Sequence, residues 1–159
     1  MLDENYSDFH GDLDAKLEDS VFNAAGLYKD VYKVGSRYTA TYKYKKKYDC
    51  LITDCAAQTK GEKALQTLFV GKFIKAPNKY NGTGLYIYFK GNEKALPPTN
   101  VSELKVVEDN TKYIIYSNSA DVKKVIKPAI KKMLDSIEMN KVLVDLAISM
   151  HDGKIFVCF

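Results

Sequence analysis

From Arg37 to Tyr48 the side chains alternate with a period of two, which constrains this part of the chain to a half-exposed strand. Tyr38, Ala40, Tyr42, Tyr44 and Tyr48 fall on one side. Arg37, Thr39, Thr41, Lys43, Lys45 and Lys47 fall on the other, with Lys46 as the one break. The pattern predicts an aromatic inner face and a basic outer face. Asp49 to Ala57 reads as a second strand or the far side of a bend, and Thr59 to Lys63, with Gly61, as a loop. Thr67 to Lys75 is apolar on both sides and predicts a central strand, in which Gly71 marks a bulge or a close backbone approach.

The rest of the chain continues in short strands. Leu85 to Phe89 alternates, and Leu104 to Val107 and Lys112 to Ser117 form a hairpin across Asp109-Asn110. Asn78 to Gly84, with its Asn81-Gly82 turn signal, and Gly91 to Asn100, with Pro97-Pro98, read as loops. Leu143 to Met150 and Lys154 to Phe159 are strands joined by His151-Asp152-Gly153, where Asp-Gly suits a type I′ turn.

Two segments have helical spacing. Leu2, Tyr6, Phe9, Leu13 and Leu17 predict a helix over 2–18, although Gly11 costs it about 1 kcal/mol. Ser20 to Tyr28 has no clear type. Val122, Val125, Ile126, Ala129, Ile130, Met133, Leu134 and Ile137 make an apolar helical face behind a Ser119 cap. Pro128 falls inside it. A kink follows, or a helix restarting with Pro128 at its first position. The expected fold class is therefore α+β: a mainly antiparallel sheet, an N-terminal helix, and a kinked helix over about 119–138 before a C-terminal β-hairpin. At 159 residues the chain is read as one domain, 1–159, with a helical segment over 1–19 and an α+β body over 20–159.

Charge is unevenly spread. Residues 1–20 hold seven acids against Lys16, and residues 29–47 hold seven bases against Asp30, so the two segments attract at close range. Surface pairs are worth only about 0–1 kcal/mol each, too little to anchor a fold. The longest run without a charged side chain, Tyr80 to Phe89, is ten residues. A spanning helix needs about 20. The N-terminus is acidic where a secretory signal is basic and then apolar. The expected location is cytoplasmic, as a soluble protein or as a soluble piece of something larger.

Catalytic motifs are sparse. No phosphate-binding glycine loop and no G-x-S-x-G occurs. His10 and His151 are both read as exposed, His151 as a solvated turn residue. Among the carboxylates, Asp49 and Asp54 are five apart and face opposite ways in a straight strand. Glu108-Asp109 lie in a turn, and Asp12 and Asp14 diverge on a helix. Asp145 interrupts an apolar run but falls on the polar parity beside Val144, Leu146 and Ile148. Cys50, Cys55 and Cys158 are read as buried and reduced, because an odd count and the spacing fit neither a disulfide framework nor a zinc site. Neither a cofactor nor a metal is expected.

The basic side chains are the remaining candidates: Arg37, Lys43, Lys45 and Lys47 on the first strand, and Lys123, Lys124, Lys131 and Lys132 on the late helix. Lysine with tyrosine can bind single-stranded nucleic acid, but stacking needs both on one face, and here they alternate. A solvated surface, or one facing an anionic membrane, fits better.

The tail KYIIYSNSADVKKVIKPAIKKMLDSI followed by VLVDLAISMHDGKIFVCF resembles the C-terminal part of the bacterial domain of unknown function 3137 family. Upstream, Phe69, Gly71 and Phe73 are similar to its F-x-G-x-F segment, and LEDSVF at 17–22 to its S-x-F entry, so the likeness spans roughly residues 17–159. The resemblance implies membrane-anchored relatives with hydrophobic spans ahead of this domain, and no catalytic residues to transfer. The expectation is a non-enzymatic module that binds an anionic membrane surface or a protein partner. An enzyme with an unrecognised cleft near Gly71 or Asn78–Gly84 is the alternative, and a nucleic-acid-binding module the third.

Overall fold

The computed structural model describes residues 5–78, 84–91, 104–118, 126–138 and 145–159. The described chain runs β1 (Tyr6–Asp12), α1 (Asp19–Asn23), β2 (Lys33–Tyr44), β3 (Tyr48–Lys60), β4 (Leu65–Pro77), β5 (Leu85–Phe89), β6 (Lys105–Asp109), β7 (Tyr113–Ser117), α2 (Pro128–Ser136), β8 (Ala147–His151) and β9 (Lys154–Cys158). The nine strands form one sheet, in the order β1-β2-β3-β4-β9-β8-β5-β7-β6, and every pairing is antiparallel. Among the described residues 56% are strand and 11% helix, so the fold is strand-rich rather than a balanced α+β.

The helix expected over 2–18 is not formed. Residues 6–12 are strand β1, and residues 15–18 continue without helix. Among its described residues the apolar spacing buries little: Tyr6, Phe9 and Leu13 are exposed, and Leu17 enters the core. Asp8 has φ 52°, outside a helix, and a Cβ at Gly11 would lie 2.7 Å from the Tyr38 hydroxyl. Pairing with β2 satisfies this backbone instead. The late helix resolves the proline in favour of the restart. Pro128 is the first residue of α2 and Lys127 before it is extended, as a residue preceding proline prefers. Residues 119–125, and with them Ser119, Val122 and Val125, lie outside the described residues, as do the Asn81-Gly82 and Pro97-Pro98 turn signals.

Several expectations hold. The β6–β7 and β8–β9 hairpins form, and Asp152 and Gly153 take φ 51° and 69°, as a type I′ turn demands, whereas the single strand expected over Arg37–Tyr48 is broken by a turn at Lys45–Lys47 that folds β2 back into β3. β3 runs on to Lys60, so the loop before β4 is shorter than expected. Gly71 marks a close approach. A Cβ there would collide with the Phe159 carbonyl oxygen, where Phe159 exchanges two backbone hydrogen bonds with Lys72.

The sheet has two apolar faces. On one face, one register row aligns Ile52, Ile74, Val157, Ile148, Ile87 and Ile115 across six neighbouring strands. α2 covers the β5–β9 part of this face, with Leu134 fully buried and Ile126, Ile130 and Ile137 packed alongside. That stripe is narrower than expected, for Ala129 and Met133 are exposed. The other face buries Ala57, Phe69, Phe73, Phe156 and Cys158 under Leu17, Phe22, Ala25, Leu27 and Tyr28. Sheet side chains hold this covering segment by its backbone. Ser149 Oγ donates to the Ala25 carbonyl at 2.6 Å, Tyr88 Oη donates to that of Leu27 at 3.2 Å, and Ser36 Oγ accepts from Leu17 N–H at 2.7 Å.

The faces of β2 differ from the expectation. Thr39, read as outward, is buried, its hydroxyl 3.0 Å from that of Thr53 and 3.0 Å from the Ala15 carbonyl. Tyr38, Tyr42 and Tyr44, read as inward, are half-buried on the opposite face, beyond α2. The deep core takes the small hydroxyl because the covering segment presses against that side.

Candidate functional site

The β2–β3 turn gathers the densest positive charge on the described surface. Tyr44 pairs with Tyr48, leaving Lys45, Lys46 and Lys47 as the tip, all exposed. Lys45 and Lys46 adopt φ 51° and 53°, a left-handed conformation normally left to glycine or asparagine. The turn thus projects three consecutive ammonium groups. Lys45 Nζ lies 5.3 Å from the Tyr44 ring centroid and Lys47 Nζ 5.5 Å from that of Tyr48, both within cation–π range.

β1 completes the site. Its Tyr6 packs against Tyr42 and Tyr44 with centroids 5.6 and 5.4 Å apart, and Asn5 accepts a hydrogen bond from Lys45 N–H. Burial raises the Tyr42 hydroxyl above its ordinary pKa, with the neighbouring Cys50 and Tyr6 adding to the effect. Tyr42 is therefore a neutral hydroxyl, with an apolar body and a polar tip, at physiological pH. Lys43 is drawn aside to Asp49 at 3.4 Å.

The other candidate cations lie elsewhere. Arg37 sits eight residues back along β2, roughly 26 Å at about 3.3 Å per residue. Lys131 is on α2 and pairs with Glu108 at 3.1 Å, while Lys132 is exposed beside it. Lys123 and Lys124 lie outside the described residues. Of the described members of the expected set, Lys43, Lys45 and Lys47 come together. Lys46 joins them, although its break in the alternation set it apart from them in the sequence.

The remaining polar groups are engaged structurally. Asp54 is bound by Lys72 at 2.5 Å and Asp109 by Lys90 at 2.8 Å, and Asp145 is exposed in a turn ahead of β8, not on a polar strand face, since Ala147 and Ser149 of the same parity are buried. His10 is exposed on β1 rather than on a helix. His151 is not solvated. Its ring stacks on Tyr86 and Phe156, with Nε2 3.1 Å from the Ala25 carbonyl and Nδ1 2.9 Å from Asp152 Oδ2. All three cysteines are free and buried. Burial pushes the Cys55 thiol up to about 12 and raises Cys158 strongly, so neither is a nucleophile at neutral pH. Among the described residues, no three His, Cys, Asp or Glu side chains are grouped to hold a metal ion, and no helix is long and apolar enough to cross a membrane. In comparisons with known proteins, the chain matches no family model, no curated protein and no solved structure.

Proposed function

We propose that this chain is a non-enzymatic binding module that docks through the β2–β3 tip onto an anionic lipid surface. The observation that carries the reading is the tip itself: Lys45, Lys46 and Lys47 exposed above the packed rings of Tyr6, Tyr42 and Tyr44. A lysine near an anionic leaflet contributes about 1 kcal/mol, and tyrosine suits the boundary between headgroup and acyl chain. The resemblance to a family with membrane-anchored members supports the same setting.

One feature of the tip favours lipid over nucleic acid. Base stacking needs an open ring face. The Tyr44 ring already has Lys45 Nζ above it and Tyr6 against it, and Tyr48 carries Lys47. Co-sedimentation with vesicles at low and high salt tests the reading. Binding to phosphatidylserine vesicles, absent with phosphatidylcholine and lost at high salt, is expected. The triple variant Lys45→Glu, Lys46→Glu, Lys47→Glu should weaken it at least about tenfold, since three attractive terms become repulsive. Equal binding by that variant, or none by the native chain, contradicts the reading.

A further inference from the structure

At the end of the sheet remote from the tip, β2, β3 and β4 outrun their neighbours. β1 pairs no further than Asp12 with Thr39, and the β9 pairing ends at Phe159 with Lys72. Residues 33–37, 55–60 and 65–71 thus form a three-stranded extension of the sheet. One face of it is core, where Val34, Ala57 and Phe69 lie opposite one another. The adjacent row, Gly35, Ala56 and Val70, faces the other way by the pleat, and Val70 is 66% exposed. Beyond it on the same face lie Tyr38, Asp54 and Lys72. Here the surface is hollowed into a cavity of about 580 Å³ lined by Gly35, Arg37, Asp54, Ala56, Val70 and Gly71. That volume suits a small molecule.

Arg37 sets this cavity apart. It is the sole arginine in a chain with 24 basic residues. It is the extra residue where the β2–β3 register shifts between Ser36 and Tyr38. Such a bulge re-aims a side chain. Asp54, the carboxylate in the cavity wall, is already held by Lys72 at 2.5 Å, and Arg37 makes no ion pair among the described residues. Arg37 and Asp54 are the charged side chains of the lining, and because Lys72 beside it compensates Asp54, the Arg37 guanidinium is the charge left uncompensated. A guanidinium grips a carboxylate with two parallel hydrogen bonds, which a lysine cannot do. The floor is apolar and open, for Gly35, Ala56 and Val70 carry no polar side chain and a Cβ at Gly35 would meet nothing within 4 Å.

We propose that this groove binds a small organic anion, with Arg37 forking its carboxylate and a planar apolar body lying on Gly35, Ala56 and Val70. The proposal is independent of lipid docking, for the groove lies at the opposite end of β2 from the tip. The test is a titration of the isotope-labelled chain with benzoate, followed by amide resonances. Shifts concentrated at residues 35–37, 54–56 and 70–71 are expected. Arg37→Lys, which keeps the charge and removes the fork, should weaken binding about fivefold or more. Val70→Glu, which adds a carboxylate to the floor, should abolish it. Both sites are exposed, so the rest of the spectrum should stay unchanged. Absent shifts, shifts scattered over the lysine-rich surfaces, or native affinity in Arg37→Lys would each overturn the assignment.

Discussion

At the residue scale, buried polar groups hold the covering segment to the sheet. His151 has its ring nitrogens 2.9 Å from Asp152 Oδ2 and 3.1 Å from the Ala25 carbonyl, and its ring stacks with those of Tyr86 and Phe156. Its removal costs more than that of a solvated turn residue. His151→Ala should lower unfolding stability by about 1–3 kcal/mol, measured by urea denaturation. A loss below about 0.5 kcal/mol would restore the solvated reading. Thr53 is a second such residue. Its hydroxyl donates to the Tyr38 carbonyl at 2.7 Å and sits 3.0 Å from Thr39 Oγ1. Thr53→Val keeps the shape but leaves that buried carbonyl without its side-chain donor. A loss of about 1–2 kcal/mol is expected in the same experiment. Neither role is legible in sequence, because both partners are distant in the chain: Ala25 for His151, and Tyr38 and Thr39 for Thr53.

At the element scale, sequence reading succeeds where turn residues bracket a short β-branched or aromatic run, even one buried on both faces as β5 is. β5, the β6–β7 pair and the closing hairpin were legible from alternation and turn chemistry, because local pattern and tertiary demand agree there. β1 has the helical spacing of its apolar residues without the helix, because intervals of three and four also arise by chance in an exposed edge strand. The decisive facts, the tight fit at Gly11 and the free side of β2, belong to the partner strand. Of the candidate site, the lysines and tyrosines of 38–48 were legible, but not their meeting at the tip. A strict alternation places them on opposite faces, and only the turn brings Lys45 and Lys47 over Tyr44 and Tyr48. Tyr6 could not be assigned there while it was read as helical. Pro128 provides the test at this scale. As the first residue of α2 it removes no helical hydrogen bond. Pro128→Ala should therefore change stability by less than about 1 kcal/mol, whereas relief of a mid-helix proline would stabilise by about 3 kcal/mol. Thermal or urea unfolding of the variant separates the two.

At the scale of the whole molecule, one sheet carries both covers, and the acidic and basic halves of the N-terminal region meet as neighbouring strands. β1 lies along β2, yet Asp12 accepts a hydrogen bond from Asp14 N–H at 2.8 Å rather than binding a lysine. Backbone pairing and burial, not ion pairs, hold the fold. Its pH dependence follows from the buried neutral groups. Burial pushes Cys55 up from 9.0 to about 12. Burial, with the hydrogen bond to Asp135, takes Tyr113 from 10.0 to about 12. A raised folded-state pKa means the native state keeps its proton after the unfolded chain has lost it. That stability is intact below about pH 9 and declines as pH rises towards 12. Melting temperature should fall from pH 8 to pH 11, and less steeply for a Cys55→Ala variant. A flat profile would contradict the burial of both groups.

Lipid docking, as proposed, requires contact through the tip and not through the opposite end of the sheet. The chain contains no tryptophan, so one introduced indole reports its own surroundings. Tyr44→Trp places it at the tip. Tyr32→Trp places it ahead of β2, at a residue 53% exposed and also beneath a lysine, with Lys60 Nζ 4.2 Å from the ring. On adding phosphatidylserine vesicles at low salt, the Tyr44→Trp emission should shift to shorter wavelength and the Tyr32→Trp emission should not. No shift in Tyr44→Trp, or an equal shift in both, would contradict docking through the tip.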